Sequence, residues 1–195
     1  TENKVEYMRN NTLLYTSTGI LSSDCVMDTS IYNGGFSIAD LKWIGSSDFA
    51  DTLVPIPQDK ITLTALKNIT VDDNEDTISS EGTITSWNMY GGSSEMKIEP
   101  SSSSSSTARG FTFKILTDDK TARIGLTRLN YESDWNYNDV EHALQFSPNK
   151  RLMIYEAHVS KGLVGGYKVG DVFQIRLNTE NKVEYMRNNT LLYTS

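Results

Sequence analysis

A segment of seventeen residues occurs twice in the chain without a single difference. TENKVEYMRNNTLLYTS occupies Thr1 to Ser17 and returns at Thr179 to Ser195, an offset of 178 residues (179 − 1). A period of that length marks a repeat whose unit is a whole domain. Three explanations stay open: a window from an array of near-identical domains, an engineered circular permutant or strand duplication, and an unrelated duplication. The first predicts a polymer of domains with a mechanical or adhesive role.

The repeated segment has the pattern of a β-hairpin. Val5 and Tyr7 alternate with polar residues, and a second apolar run, LLYT, follows a polar break. β-branched and aromatic residues on either side of a tight polar pair are typical of a hairpin. Asn10-Asn11 forms the break, and asparagine tolerates the positive φ angles of a type I′ turn.

Length, charge and residue usage favour an all-β protein. The chain has 195 residues, a net charge of −7 and a pI near 4.8, which argue against nucleic acid and anionic membranes as partners. No apolar run approaches the length of roughly 20 residues that a membrane-spanning helix needs. Serine and threonine are abundant, helix signals are scarce and turn residues recur at short intervals. These features predict a two-sheet antiparallel jelly-roll sandwich.

Three sequons and a lone cysteine gain meaning in an extracellular or cell-surface protein, which is the location that we expect. The asparagines of the sequons, Asn10, Asn68 and Asn188, are candidate glycosylation sites. Cys25 has no partner within one period, so it is either a small buried side chain or one half of a bridge between molecules.

Alternating apolar residues and prolines suggest the domain boundaries. Residues 1–45 are expected to be the last strands of a preceding repeat, or strands that complete the domain that follows. Residues 46–60 contain two prolines and are expected to be a linker. Residues 61–195 are expected to form the jelly-roll domain, with one strand over 61–71 and turns at Gly91-Gly92 and at 162–171. A strand over 36–44 should bury Phe36, Ile38 and Trp43.

Two stretches have residues that suit a ligand. Aromatic rings in a polar loop can stack on a sugar while carboxylates and amides bind its hydroxyl groups. A calcium site is a weaker alternative, because the first half of an EF-hand spacing is present but the glycine that the loop needs is replaced by Thr77. The candidate ligand-binding residues are Asp134, Trp135, Asn136, Tyr137, Asn138 and Asp139, and those of the calcium alternative are Asp72, Asn74 and Asp76.

No constellation in the sequence predicts catalysis. No serine has the glycine pattern of a nucleophile elbow, and no zinc spacing is present. A glycosidase-type pair, Glu141 and Glu156, is the best enzymatic hypothesis, but both are expected to be edge or surface charges. We therefore expect a protein without enzymatic activity, metal or cofactor.

The end of the chain shows an ordered set of motifs. A Gly-Asp turn at 170–171 leads into the strand-like run VFQI, and V-x-Y-x-x-N-N-x-x-x-Y-x-S follows at 183–195. This order resembles the closing part of concanavalin A-like jelly-roll domains, in which glycine is usual where Asn189 stands. The resemblance covers 61–195, and residues 18–45 are similar to the family's final strands. It implies a two-sheet sandwich and carbohydrate binding or adhesion, without fixed catalytic residues.

The repeat and the resemblance together predict a structural role. We expect a head-to-tail repeat unit of an extracellular filament, surface appendage or adhesin. The alternative is a carbohydrate-binding, lectin-like module. The expected partners are neighbouring identical repeats or subunits, and glycans, without nucleic acid or membrane insertion.

Overall fold

The described part of the protein is built of β-strands joined by turns and loops. The structure, a computed structural model, describes residues 5–9, 12–17, 25–45, 61, 63–72, 77–83, 85–98, 108–128, 137–178 and 180–195. No helix occurs in those ranges. The strands are β1 Val5–Arg9, β2 Thr12–Ser17, β3 Cys25–Asn33, β4 Ser37–Gly45, β5 Leu63–Lys67, β6 Ile69–Asp72, β7 Thr77–Ser80, β8 Thr85–Ile98, β9 Ala108–Ile115, β10 Ala122–Arg128, β11 His142–Phe146, β12 Arg151–Glu156, β13 Val159–Gly166, β14 Val172–Leu177, β15 Val183–Arg187 and β16 Thr190–Thr194.

Two antiparallel sheets of seven strands form a β-sandwich, as the sequence predicted. The first sheet has the order β13-β12-β11-β10-β3-β8-β5. The second sheet has the order β16-β15-β14-β9-β4-β7-β6. The first copy of the hairpin, β1-β2, forms a two-stranded sheet of its own.

The strands that follow the first hairpin copy lie inside both sheets. β3 pairs with β10 and β8, and β4 pairs with β9 and β7. A tight turn joins β3 to β4. Gly34 is needed in that turn, because a Cβ there would lie 1.9 Å from the carbonyl oxygen of Gly82. Residues 25–45 and strands within 61–195 therefore share one sandwich, while 46–60 lies outside the described residues.

A cluster of aromatic rings forms the centre of the core. Phe146 on β11 contacts Phe113 and Phe173 of the second sheet, with ring centroids 6.1 and 5.1 Å away. Phe36 and Tyr167 complete its surroundings at 6.3 and 5.0 Å. Edge-to-face pairs of this kind add to the free energy of simple burial. The cluster therefore holds the two sheets together.

The segment 36–45, which contains β4, buries the three residues that the sequence predicted, but the alternation of its side chains shifts between Ile38 and Trp43. Phe36, Ile38 and Trp43 are each 1% exposed. Strict alternation cannot bury both Ile38 and Trp43 on one side, because their positions differ by an odd number. The register shifts between Ala39 and Lys42, and Asp40 has a φ of 53°. This bulge turns Trp43 back towards the core.

Three local predictions were wrong. The expected single strand over 61–71 is two strands, because Asn68 has a φ of 50° and sends β5 to the first sheet and β6 to the second. The expected turn at Gly91-Gly92 lies inside β8, where a Cβ on Gly92 would be 2.8 Å from Ile69 Cδ1. Half of the expected turn at 162–171, residues 162–166, belongs to β13, whose bulges use the positive φ of its glycines, and the turn itself lies at 169–170.

Candidate functional site

The outward face of the first sheet carries a buried arginine. Ala122, Ile124 and Leu126 of β10 belong to the hydrophobic core, so the intervening residues face the opposite side of the sheet. Arg123 is one of them. The register places it opposite Ser30 of β3 on one side and Gln145 of β11 on the other. Only 4% of Arg123 is exposed, although it lies outside the sandwich core.

Arg123 is enclosed by rings and oxygen atoms. Its guanidinium carbon lies 3.8 Å from the ring centroid of Tyr155, 4.7 Å from that of Tyr137 and 5.8 Å from that of Trp87. Its Nε donates a hydrogen bond to Gln145 Oε1 at 2.7 Å, and a terminal nitrogen donates to the Tyr137 carbonyl at 2.9 Å. Cation–π contacts strengthen when water is excluded. Arg123 is therefore a fixed anchor for the rings around it.

Burial lowers the pKa of Arg123, while its interactions with Tyr155 and Tyr137 act in the opposite direction. An arginine stays protonated at any physiological pH even after such a change. The enclosed guanidinium is therefore a cation, and the ring faces and oxygen acceptors around it stabilise its charge.

Two of these rings, Trp87 and Tyr137, continue with Tyr32 into a row of three, which we call the aromatic row. The ring centroids of Tyr32 and Trp87 are 5.2 Å apart, and those of Trp87 and Tyr137 are 4.9 Å apart. All three side chains are half-buried, so each keeps surface open to solvent. The aromatic row combines residues from β3, β8 and the segment before β11.

The segment before β11 is fastened to the sheet by backbone contacts. Arg123 donates to the Tyr137 carbonyl, and Thr127 Oγ1 donates to the carbonyl of Asp139. Both donors come from β10, on the same face of the sheet. The position of Tyr137 is therefore set by β10.

Half of the predicted ligand-binding loop is described. Tyr137 belongs to the aromatic row, while Asn138 and Asp139 are half-buried residues of a turn. Asp134, Trp135 and Asn136 lie outside the described residues. The sequence reasoning missed Arg123, Tyr32, Trp87 and Tyr155. The available signal was an arginine flanked by Ala122 and Ile124 within an apolar strand, which indicates a charge held on one face of a sheet.

A buried carboxylate connects the second hairpin copy to the opposite sheet. Glu156 on β12 accepts a hydrogen bond from the Tyr185 hydroxyl at 3.3 Å and another from the Tyr193 hydroxyl at 3.2 Å. His142 Nδ1 and Lys161 Nζ lie 3.6 and 3.8 Å from its oxygens. Glu156 and Glu141 are 7% and 6% exposed, so the expectation that they are edge or surface charges was wrong. The contacts of Glu156 favour a structural role for it.

The other predicted sites differ in how much of them is described. Asn68 and Asn188 are exposed, and their side-chain amides donate hydrogen bonds to the Met89 carbonyl and to Asp171, each at 2.8 to 2.9 Å. Asn10 lies outside the described residues, as do Asn74 and Asp76 of the calcium alternative. Among the residues described, no group of three or more His, Cys, Asp and Glu is placed to hold a metal ion.

Comparison with protein-family models, curated proteins and solved structures gave no match. The described residues contain no helix with the length and apolar character that crossing a membrane requires.

Proposed function

We propose that the protein is a carbohydrate-binding β-sandwich and that the aromatic row is its sugar-binding surface. The observation that supports this most is a set of half-buried rings held in place by a buried cation on the outward face of a sheet. A sugar presents C–H groups on its ring faces and hydroxyl groups around its edge. Fixed aromatic rings pack against the C–H groups, and the tyrosine hydroxyls of the row hydrogen-bond with the sugar hydroxyl groups.

The charges at the site favour a neutral oligosaccharide. Among the described residues, Arg123 is the cation in contact with the row, and it is enclosed and already bonded to Gln145 and to the Tyr137 carbonyl. The net charge of −7 repels polyanions at long range. Three rings in sequence suit a short chain of sugars better than a single sugar.

Binding of neutral oligosaccharides on a glycan array, followed by calorimetry with the best ligand, tests this proposal. Trp87→Ala and Tyr137→Ala should each weaken binding roughly tenfold or more, because each removes a ring that contacts the ligand. Tyr137→Phe is the matched control, since it keeps the ring and should keep most of the affinity. Leu191→Ala alters an exposed residue on an edge strand of the other sheet and should bind like the wild type.

Absence of binding to every neutral glycan, or unchanged affinity in both alanine variants, would reject the proposal. Unfolding midpoints measured on the same variants distinguish a lost contact from a lost fold. A variant that has lost binding but keeps the midpoint of the wild type has lost only the contact.

A second candidate function, a repeat unit of an extracellular filament, surface appendage or adhesin, is favoured by the exact repetition of the hairpin at an offset of 178 residues. It is also favoured by strands β3 and β4, which follow one hairpin copy and pair with strands on the far side of 46–60. A head-to-tail array of such units at the cell surface is compatible with sugar binding by each unit.

Mass spectrometry of the protein from its natural source tests the array. Peptides that run from Leu192-Tyr193-Thr194-Ser195 directly into Thr18-Gly19-Ile20 would support tandem repeats. A native mass near 21.8 kDa, with free ends at Thr1 and Ser195, would reject them.

A further inference from the structure

The two hairpin copies have the same internal register. In the second copy Glu184 pairs with Thr194, and Met186 pairs with Leu191. The first copy has the equivalent pairs, Glu6 with Thr16 and Met8 with Leu13. Both copies also have an irregularity at the same place, immediately before the methionine. Identical sequences have therefore formed identical hairpin backbones in two places.

The second copy is seated on the edge of β14. β15 pairs with β14 over five residue pairs, from Phe173↔Arg187 to Leu177↔Val183. The hairpin also reaches across the sandwich through the hydroxyls of Tyr185 and Tyr193, which donate to Glu156. Its buried hydrophobic side chains are Val183, Tyr185, Met186 and Tyr193.

The first copy contains every residue with which the second copy contacts the edge of β14. Tyr7 and Tyr15 correspond to Tyr185 and Tyr193. In the part of the chain that the structure describes, β1 and β2 pair only with each other. We propose that the edge of β14 is a docking site for either hairpin copy, and that residues 1–17 can replace residues 179–195 on their own sandwich.

Strand direction permits this exchange. The pairs β16-β15, β15-β14, β14-β9 and β9-β4 are all antiparallel, so β16 and β4 run in the same direction. β4 follows β3 through a tight turn, so β4 ends where β3 begins. The end of β16 therefore lies at the same end of the sandwich as the start of β3. A hairpin that is seated like β15-β16 would lead into β3 without reversing the chain.

The connection from the first copy to β3 is long enough. Four strand spacings separate β16 from β4, or roughly 19 Å, and the sheets are roughly 10 Å apart, so the crossing is roughly 22 Å. The segment 18–24 between Ser17 and Cys25 spans roughly 26 Å when extended. The first copy can therefore reach the edge of β14 while β3 stays in the first sheet.

The two arrangements differ in how the hairpin is connected to the sandwich. Residues 178–182 join β14 to the second copy, and Asn178 Oδ1 accepts hydrogen bonds from the backbone of Glu180 and Lys182. Arg109 donates to the Asn178 carbonyl at 2.5 Å and to Asn181 at 3.1 Å. These contacts fix the segment that leads from β14 into the second copy. They favour binding of the second copy to the edge of β14. Asn178→Ala should therefore shift the equilibrium between the two copies towards binding of the first.

Matched tyrosine variants of the full chain test the proposal. Tyr7→Ala should leave the melting temperature unchanged, because the seated copy is intact. The melting temperature of Tyr185→Ala should fall by less than half of the fall in the double variant, Tyr7→Ala with Tyr185→Ala, because the first copy replaces the damaged hairpin. The double variant should lose roughly 10 °C, the expected effect of removing a buried tyrosine from a chain of this size. Such non-additivity is the signature of two segments sharing one function.

Hydrogen exchange detected by mass spectrometry gives the direct readout. In Tyr185→Ala, amides of residues 5–17 should gain protection and those of 183–195 should lose it. The substitution also gives the two otherwise identical peptides different masses. If Tyr185→Ala does not fold, Tyr185→Phe, which keeps the ring and removes the hydroxyl that donates to Glu156, serves for the same exchange measurement. Two results together would overturn the proposal. The first is that Tyr185→Ala and the double variant are equally destabilised. The second is that residues 5–17 gain no protection in Tyr185→Ala or in Tyr185→Phe.

Discussion

Replacing Arg123 with methionine should destabilise the protein although methionine fits an apolar site. The substitution removes the guanidinium that Tyr155, Tyr137 and Trp87 surround and leaves the Tyr137 carbonyl and Gln145 Oε1 without their donor. Each bond to a charged donor contributes about 1.5 to 3 kcal/mol, and a desolvated cation–π contact about 2 kcal/mol. Relief of the cation's desolvation offsets several kcal/mol of that sum. We expect a net loss of about 2 to 3 kcal/mol.

Urea unfolding followed by circular dichroism measures this loss. The midpoint should fall while the slope stays constant, since the surface exposed on unfolding hardly changes. Arg123→Lys keeps the charge but not the planar fork, so it should lose about half as much. Arg151→Met is the matched control, because Arg151 is an exposed arginine on β12 and its loss should change stability by less than about 0.5 kcal/mol.

A variant Arg123→Met as stable as the wild type would refute the reasoning. It would mean that the desolvation of the guanidinium cancels its contacts, and that the aromatic row does not depend on the cation. Loss of stability of the same size in Arg151→Met would equally contradict a specific role for the enclosed site.

Three further predictions concern the core, alkaline pH and the hairpin turn. Phe146→Ala should cost about 4 kcal/mol in urea unfolding, since Phe146 is fully buried in the aromatic cluster, whereas Leu163→Ala on exposed β13 should be neutral. Burial, and then the charges of Asp118 and Asp119, raise the pKa of Tyr167, so its folded value exceeds its unfolded value of about 10. The contribution of Tyr167 to the free energy of unfolding is complete below about pH 10 and declines above it, by up to about 1.4 kcal/mol per pH unit. Tyr167→Phe should flatten that decline. Asn188 and Asn189 have φ angles of 48° and 63°, so Asn189→Gly should stabilise the hairpin by about 0.5 kcal/mol in thermal unfolding. Asn188→Ala combined with Asn10→Ala, so that neither hairpin copy supplies this amide, should destabilise the protein by about 2 kcal/mol, because the bonds to Val172 and Asp171 are lost.

The all-β class was predictable from the sequence because it depends on local patterns. Alternation in β4 and β14 marked residues that are buried, and the Asn188-Asn189 turn has the positive φ angles that its residues suggested. Local patterns failed where tertiary contacts decide the conformation. Gly91-Gly92 suggests a turn in isolation, but the approach of Ile69 to Gly92 makes it part of a long strand.

The candidate site was predictable only in part. An aromatic side chain in a polar segment pointed to Tyr137, which lies in the aromatic row. The other rings of the row, Tyr32 and Trp87, come from β3 and β8, and the distances between these strands along the chain give no indication that they meet. Arg123 illustrates the same limit, because its role depends on residues from β8, β11, β12 and the segment before β11, which only the sheet order brings together.

Chemical-shift mapping on the labelled protein tests sugar binding by the aromatic row most directly. The best neutral oligosaccharide from the array is titrated while the indole resonance of Trp87 and the ring resonances of Tyr32 and Tyr137 are followed. These resonances should shift together and saturate with one dissociation constant, while those of the buried Trp43 stay fixed. Saturable shifts confined to other surfaces, with the row unaffected, would contradict the assignment of this face as the binding site.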